Sequence, residues 1–457
     1  MPRILLLLPT TTYRTEAFLA AARQMDVEVT IGSEQPNTLA RLNPTAFLTL
    51  SFHDPQQTAR QVVDFAAKHP IDAVVAVDDQ VTVAAAAVCQ ALSLRQNSVE
   101  SVLAAGNKHR MRQLFQRAGV PSPGFRLCRL DDDAEHLAGQ LHYPCVVKPL
   151  GLSGSQGVIR VDDEPEFVRA VDRLARILQN KVGKTNGSTS RDVRGGLQKE
   201  DARPSQTSHF LVEEFIGGPE VALEGLLSRG RLRVLALFDK PDPLDGPFFE
   251  ETIYVTPSRL PTVVQEQIVR CTSQAVRAIG LSEGPIHAEL RLGTDGPSVI
   301  EVNARSIGGQ CSRVLRFGTG ISLEELIIRH ALESRGSRAA KALDSELLDS
   351  ELSDSPAGVM MIPIPQAGRL TEVRGLHAAE SVAGIERVTI SAHLGQELLP
   401  LPEGSVYLGF LFARASSAEA VEAALREAHA KLEIVIETFD SNTEPAKRPF
   451  LQAQFQS

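Results

Sequence analysis

The sequence predicts a multidomain protein of mixed α/β and α+β class, on three observations. Residues 1–105 alternate apolar runs with helical patterns in a βαβα rhythm, the signature of a small open parallel sheet. From residue 106 the texture changes, and strand patterns dominate as far as about 305. A polar, acidic stretch at 336–356 then precedes a last strand-and-helix unit. At 457 residues the chain exceeds what one ordinary core organises. The expected divisions are an N-terminal open parallel α/β domain (1–105), a central α+β domain (106–335), a linker (336–356), a C-terminal α+β domain (357–440) and a loose tail (441–457).

The first strand, Ile4–Leu8, is too short for a signal or membrane helix and fits a buried parallel strand. A cytoplasmic location is therefore expected, with no membrane partner. Glu16–Gln24, Gln56–Lys68 and Val81–Leu92 have helical patterns, and Val27–Ile31 and Ile71–Val77 strand patterns. Ile71–Val77 runs into Asp78-Asp79, at the carboxyl edge where ligands of such sheets bind. No G-x-G-x-x-G follows the first strand, so a dinucleotide site is not supported. The domain reads as a scaffold wall that offers at most a substrate contact.

Lys108–Ala118 is a helix closed by Gly119 and stopped by Pro121 and Pro123. Lys181–Ser208 is rich in small and charged residues and poor in large apolar ones. It is expected to be a mobile insertion; its acidic residues and lack of aromatics argue against a nucleic-acid arm. Ser322–Leu332 is an amphipathic helix. The linker repeats itself locally, at Leu343–Leu347 and Leu348–Leu352. Strands are then expected at Val359–Ile364, Gly384–Ile390, Leu408–Arg414 and Leu432–Ile436, with a helix over Ala418–Ala430.

Lys and Arg number 47 against 56 Asp and Glu, a net charge of −9, and they are scattered along the chain. That balance argues against duplex nucleic acid as a partner and suits an enzyme with a small ligand. The five cysteines form no close pair and no metal-type spacing, so neither disulfides nor a zinc site are expected.

Three segments carry chemistry. In Leu141–Val161 a strand bears Lys148, and a loop with Gly151, Ser153, Gly154, Ser155 and Gly157 leads into a second strand. Glycines let backbone N–H groups close over phosphate oxygens, and serines add donors. A Walker loop would lead into a helix instead. Lys108, opening its helix, and Lys148 can each offer a point charge to phosphates. In Phe210–Glu224, Glu213 and Glu214 take opposite faces of a strand, Gly217-Gly218-Pro219 breaks it, and Glu220 follows. Such an edge can pair with a base through its backbone, and a carboxylate just beyond can take ribose hydroxyls. The third segment, His287–Arg305, reads as a hairpin with Gly293–Gly296 as its turn. Period two puts His287, Glu289 and Arg291 on one face, and Glu301, Asn303 and Arg305 on one face of the partner strand. Glu289, Glu301 and Asn303 are hard oxygen donors of the kind that suits Mg²⁺ on nucleotide phosphates. Arg305 could clamp a phosphoryl group or a substrate carboxylate. His287 reads at least as readily as a structural histidine as a functional one.

Lys108, Lys148 with GLSGSQG, VEEFIGGPE and HAEL…IEVNAR resemble, in order and spacing, the ATP-grasp superfamily over residues 100–335. Asp239–Pro261 and the stretch PLPEGSVYLGFLFARA look most like its L-amino-acid ligase branch. The resemblance implies a central domain of two α+β lobes clamping ATP. It implies that Lys108, Lys148 and the Gly151–Gly157 loop meet phosphates, Glu213 the adenine amino group, the backbone at Phe215 and Ile216 the ring nitrogens, and Glu220 the ribose. Glu289, Glu301 and Asn303 would hold Mg²⁺ or Mn²⁺. Arg305 and Lys148 would be catalytic, and Glu250, Glu251, Arg305 and Arg313 would shape the substrate pocket.

The implied activity joins a small-molecule carboxylate to an amine through an acyl phosphate, releasing ADP and phosphate. The alternatives are an ATP-grasp carboxylase, a nucleotide-precursor ligase, and a nucleotide-binding scaffold without turnover. A homodimer is the default assembly.

Overall fold

The structure is a computed structural model that describes residues 1–10, 12–185, 207–318, 320–333 and 355–439. The N-terminal sheet is parallel throughout, in the order β3-β2-β1-β4, with β1 at Arg3–Leu7, β2 at Glu28–Ser33, β3 at Phe47–Thr49 and β4 at Ala73–Ala76. Its alternation feeds two cores: Ile4 and Leu6 pack on one side, Leu5 and Leu7 on the other. α1 (Thr15–Gln24) lies on one face, and α2 (Pro55–Ala66) and α3 (Asp79–Ala91) on the other. The short β3 escaped the sequence pattern.

α4 (Val99–Ala105) and α5 (Lys108–Ala118) lead into the central region. α5 begins where the Asn107 side chain accepts the Arg110 N–H, and ends at left-handed Gly119. A small lobe follows: β5 (Phe125–Arg129), α6 (Ala134–Ala138), β6 (Cys145–Pro149), β7 (Ile159–Val161), α7 (Glu164–Thr185) and β8 (His209–Glu214). Its antiparallel sheet, β5-β8-β6-β7, packs on α6 and α7 through Phe167, Leu174 and Phe210. α7 continues through Thr185, past the expected start of the insertion at 181. Residues 186–206 of the insertion lie outside the described residues, as do 334–354 around the linker and the tail from 440.

The larger lobe contributes β9 (Glu220–Ser228), β10 (Arg231–Lys240), β11 (Ile253–Thr256), α8 (Thr262–Ile279), β12 (Gly284–Gly293), β13 (Gly296–Asn303) and α9 (Leu323–Glu333). α8 is a long helix inside what the sequence presented as strand territory. α9 packs against α1 and β4 of the N-terminal domain. The C-terminal unit adds β14 (Ala357–Ile362), β15 (Gly368–Arg374), α10 (Leu376–Glu380), β16 (Ile385–Ile390), β17 (Glu397–Leu398), β18 (Gly409–Arg414), α11 (Ala418–Ala430) and β19 (Glu433–Glu437).

This last unit is not set apart by a gap in the sheet. β11 pairs with β14, Ile253 opposite Met360, so one sheet runs β13-β12-β9-β10-β11-β14-β18-β16. Only β17-β15-β19 forms a separate small sheet.

Gly218, between β8 and β9, has φ +96°, and a Cβ there would stand 2.1 Å from the Leu292 carbonyl oxygen. Gly218→Ala is expected to cost roughly 2 kcal/mol or more, read as a lower midpoint in denaturant titration. Among the described residues no helix is long and apolar enough to cross a membrane. The five cysteines are free and buried; burial pushes the Cys89 thiol up to about 12.

Candidate nucleotide and substrate site

The two lobes, the N-terminal domain and the C-terminal unit meet around one cleft with a cavity volume of about 1630 Å³. Lys108, Lys148, Gly151, Ser153, Gly154, Ser155, Glu213, Phe215, Ile216, Glu220, Glu251, Glu289, Glu301, Asn303 and Arg305 all line it. Gly157, Glu250 and Arg313 do not. Gly157 holds a turn at φ +73° against Leu174 and Pro149, and the Arg313 guanidinium lies over the Phe412 ring.

Lys108 and Arg112 explain how α5 serves the cleft. Both fall on its buried stripe with Met111 and Phe115, at i, i+4, so they share a face. The Lys108 ammonium donates to the Leu152 carbonyl at 2.9 Å and pairs with Glu301 at 3.3 Å. Arg112 pairs with Glu213 at 2.9 Å and donates to the Ile300 carbonyl. That carbonyl sits at a register shift: Glu289 opposes Glu301, but Leu290 opposes Val299, leaving Ile300 extra.

Lys148 lies on β6, every residue of which is buried, and its ammonium is 2.6 Å from Glu213. Burial would raise the Glu213 carboxyl, but Arg112 and Lys148 overcome it and hold the group down at about 2. Both Glu213 oxygens thus face cations, Arg112 on one and Lys148 on the other. A depressed carboxyl contributes stability that is present above its ordinary value of 4.5 and is lost as pH falls toward 2. Glu213→Gln is expected to remove about 2 kcal/mol of the wild-type loss between about pH 5 and pH 3, measurable by denaturant titrations across that range.

The centre of the cleft is a buried ion cluster around Lys240, at the end of β10. Its ammonium lies 2.7 Å from Glu220, 2.5 Å from Glu251 and 3.1 Å from Glu289. Burial opposes the charge, yet the three carboxylates hold Lys240 well above its ordinary range. Burial pushes the Glu251 carboxyl up against the pull of Lys240, while Lys240 and His287 keep Glu289 down. Tyr254 donates to Glu251 at 2.6 Å. Among the described residues these three carboxylates alone cluster at metal-ligand distances, within 4.8 Å of one another. The Lys240 ammonium already satisfies them. The predicted trio shares only Glu289 with this cluster; Glu301 is the cross-strand partner of Glu289, and Asn303 that of His287.

Arg291 pairs with Glu220 at 3.0 Å, donates to the Ile216 carbonyl at 2.7 Å and also to the Leu244 carbonyl. His287 sits between Glu224 and Glu289; burial opposes its charge, but these partners raise it to about 9. Arg305 donates to Asp79 at 2.9 Å and to the Ser306 carbonyl. The N-terminal domain thus reaches the site through Asp79, and Asp78 lines the cleft beside it, at the strand edge where the sequence put them. At this end Tyr13, Tyr254, Met361, Tyr407 and Phe410 form an apolar wall. The chain has four tyrosines, and three of them lie here.

Lys240, Arg112, the Arg291 contacts and this wall were not singled out from the sequence. Two signals were available: a lysine closing an apolar strand, and an arginine one helical turn after Lys108.

A glycine loop lining a two-lobed cleft, with lysines from a helix and a strand and acidic residues on a facing hairpin, is the arrangement expected of an ATP-grasp domain. Comparisons agree, domain by domain. Residues 141–314 match the ATP-grasp domain, 19–94 the ATP-grasp N-terminal domain, and 360–437 the L-amino acid ligase C-terminal domain 2. The crystal structure of an L-amino acid ligase from Bacillus licheniformis superposes with a TM-score of 0.76 at 27% identity, covering 96% of this chain and 99% of that one. The alanine–anticapsin ligase of Bacillus subtilis is 24% identical over 60% of this chain and 56% of its own length. Dapdiamide A synthase of Enterobacter agglomerans is 26% identical over 47% and 45%. The chain thus spans about half the length of these two curated relatives.

Proposed function

We propose that the chain is an ATP-dependent carboxylate–amine ligase that forms an amide bond through an acyl phosphate, with ADP and phosphate as products. The observation that carries this is the convergence of Lys108, Lys148 and Arg305 with Glu289, Glu301 and Asn303 on one cleft. The similarity to amide-forming relatives supports it. A carboxylate approaching a triphosphate is anion meeting anion, so catalysis is chiefly positioning and charge neutralisation.

The oxygen donors Glu289, Glu301 and Asn303 fit Mg²⁺ or Mn²⁺ and would hold it. When bound, the ion supplies positive charge to phosphate oxygens. Lys108 and Lys148 neutralise further charge there. Lys240 and Arg291 fix Glu220 for ribose hydroxyls. With the Ile216 carbonyl taken by Arg291 and the Phe215 N–H given to the Pro144 carbonyl, base recognition falls to the Phe215 carbonyl and the Ile216 N–H. Arg305, aimed by Asp79, stabilises the transferred phosphoryl and the acyl phosphate. The glycine loop keeps water from that intermediate. Asp78 and Glu251 border the substrate end.

The test is a panel of acids and amines with ATP and Mg²⁺, reading phosphate release, with hydroxylamine added to trap acyl phosphate as hydroxamate. Phosphate and hydroxamate are the expected products. AMP with pyrophosphate, or turnover that needs bicarbonate and no amine, would sink the proposal.

A further inference from the structure

The glycine loop is held from outside by the C-terminal unit. The Gly157 N–H donates to the Pro402 carbonyl at 3.0 Å, and the Gln156 side chain donates to the Glu403 carbonyl at 2.5 Å. A Cβ on Gly154 would stand 3.6 Å from the Ser405 carbonyl oxygen, so the two backbones nearly touch.

Glu403 is gripped in turn. Its carboxylate takes both ends of the Arg173 guanidinium, on α7, at 2.6 and 2.7 Å. That guanidinium lies 4.8 Å over the Phe248 ring, and Phe248 bridges to Ile159 on β7. The loop, the helix behind it and the strand after it are therefore all tied to one short segment, 402–405. Ser405 and Val406 also line the cleft.

Arg173 and Glu403 are each about one-third exposed, at 35% and 36% of the side chain. Such a pair adds little to global stability, but openings of a single loop lie at the low end of the stability scale, where small contributions shift populations.

We propose that Arg173 and Glu403 are positioning residues: through the 402–405 segment they hold the glycine loop over the cleft and so protect the acyl phosphate from water. The inference rests on the ligase reading for what the loop protects, and on the contacts alone for the holding.

The test is amide hydrogen exchange on the full chain with Mg²⁺ and the non-hydrolysable analogue AMP-PNP. Glu403→Ala and Arg173→Ala are each expected to speed exchange over 151–157 by roughly two- to fivefold, with α5 unchanged. The Arg173→Glu, Glu403→Arg double variant is expected to restore slow exchange. In the coupled reaction, the ratio of ATP hydrolysed to amide formed is expected to rise by a similar factor in the single variants.

Unchanged exchange over 151–157 in both single variants overturns the proposal, as does an increase spread equally over α5, which would mark a merely structural pair. A wild-type chain that releases no phosphate with any acid–amine combination overturns the ligase reading instead, and the exchange result still decides the holding.

Discussion

Lys148→Ala is expected to slow ATP-dependent product formation by about 10²–10³-fold while the chain stays folded. The ammonium is buried on β6 and faces the cleft, so it acts where charge develops and where water cannot substitute for it. Its removal does not strand Glu213, because Arg112 stands 2.9 Å from the same carboxylate. Circular dichroism should therefore be unchanged while phosphate release collapses. Glu301→Ala removes a proposed metal donor and the partner of Lys108, and a loss of the same order is expected. A near-normal rate in either variant would remove that residue from the phosphate-binding set.

Lys240→Met is expected to be the most destabilising single change in the cleft. It takes the shared cation from Glu220, Glu251 and Glu289 and leaves buried like charges facing one another. Breaking a buried ion pair costs about 3–5 kcal/mol, and a drop in Tm on the order of 10 °C follows. Two controls identify the cause. Without Lys240 the Glu251 carboxyl, which burial already pushes up, loses the cation that opposes that push, so the defect should grow as pH rises and shrink toward pH 5. Adding Glu251→Gln should also recover part of the loss, since coupled neighbours do not add. A defect equal at all pH values would mean that packing, not charge, is what Lys240 supplies.

The sequence made the order of elements readable where periodicity was strong. α5 and α11 fall where expected, and the two-residue turn between β12 and β13 was marked by Gly293 and Gly296. The site residues on that hairpin were readable for the same reason, since alternation groups Glu301 with Asn303 and His287 with Glu289, and the structure turns them to the cleft. What stayed hidden depended on distant pairing. Nothing near Lys240 in sequence announces that Glu220, Glu251 and Glu289 close around it. Arg112 is one of several basic residues on its helix, and nothing local marks it as the buried partner of Glu213. The union of the C-terminal strands with the central sheet was equally invisible, because local pattern specifies a strand but not its neighbour.

That union bears on how this protein can be taken apart. A chain ended before β14 would leave β11 as a bare edge, with Ile253 and Val255 deprived of the cover that α11 and the C-terminal core now give them. Unpaired edges of this kind recruit other chains. The C-terminal unit is thus a poor candidate for modular exchange: a graft must carry β11 with β14 and preserve the pairing of Ile253 with Met360. Diversification of this scaffold by swapping whole domains is accordingly costly, and changes in its loops are the easier route to a new pair of reactants.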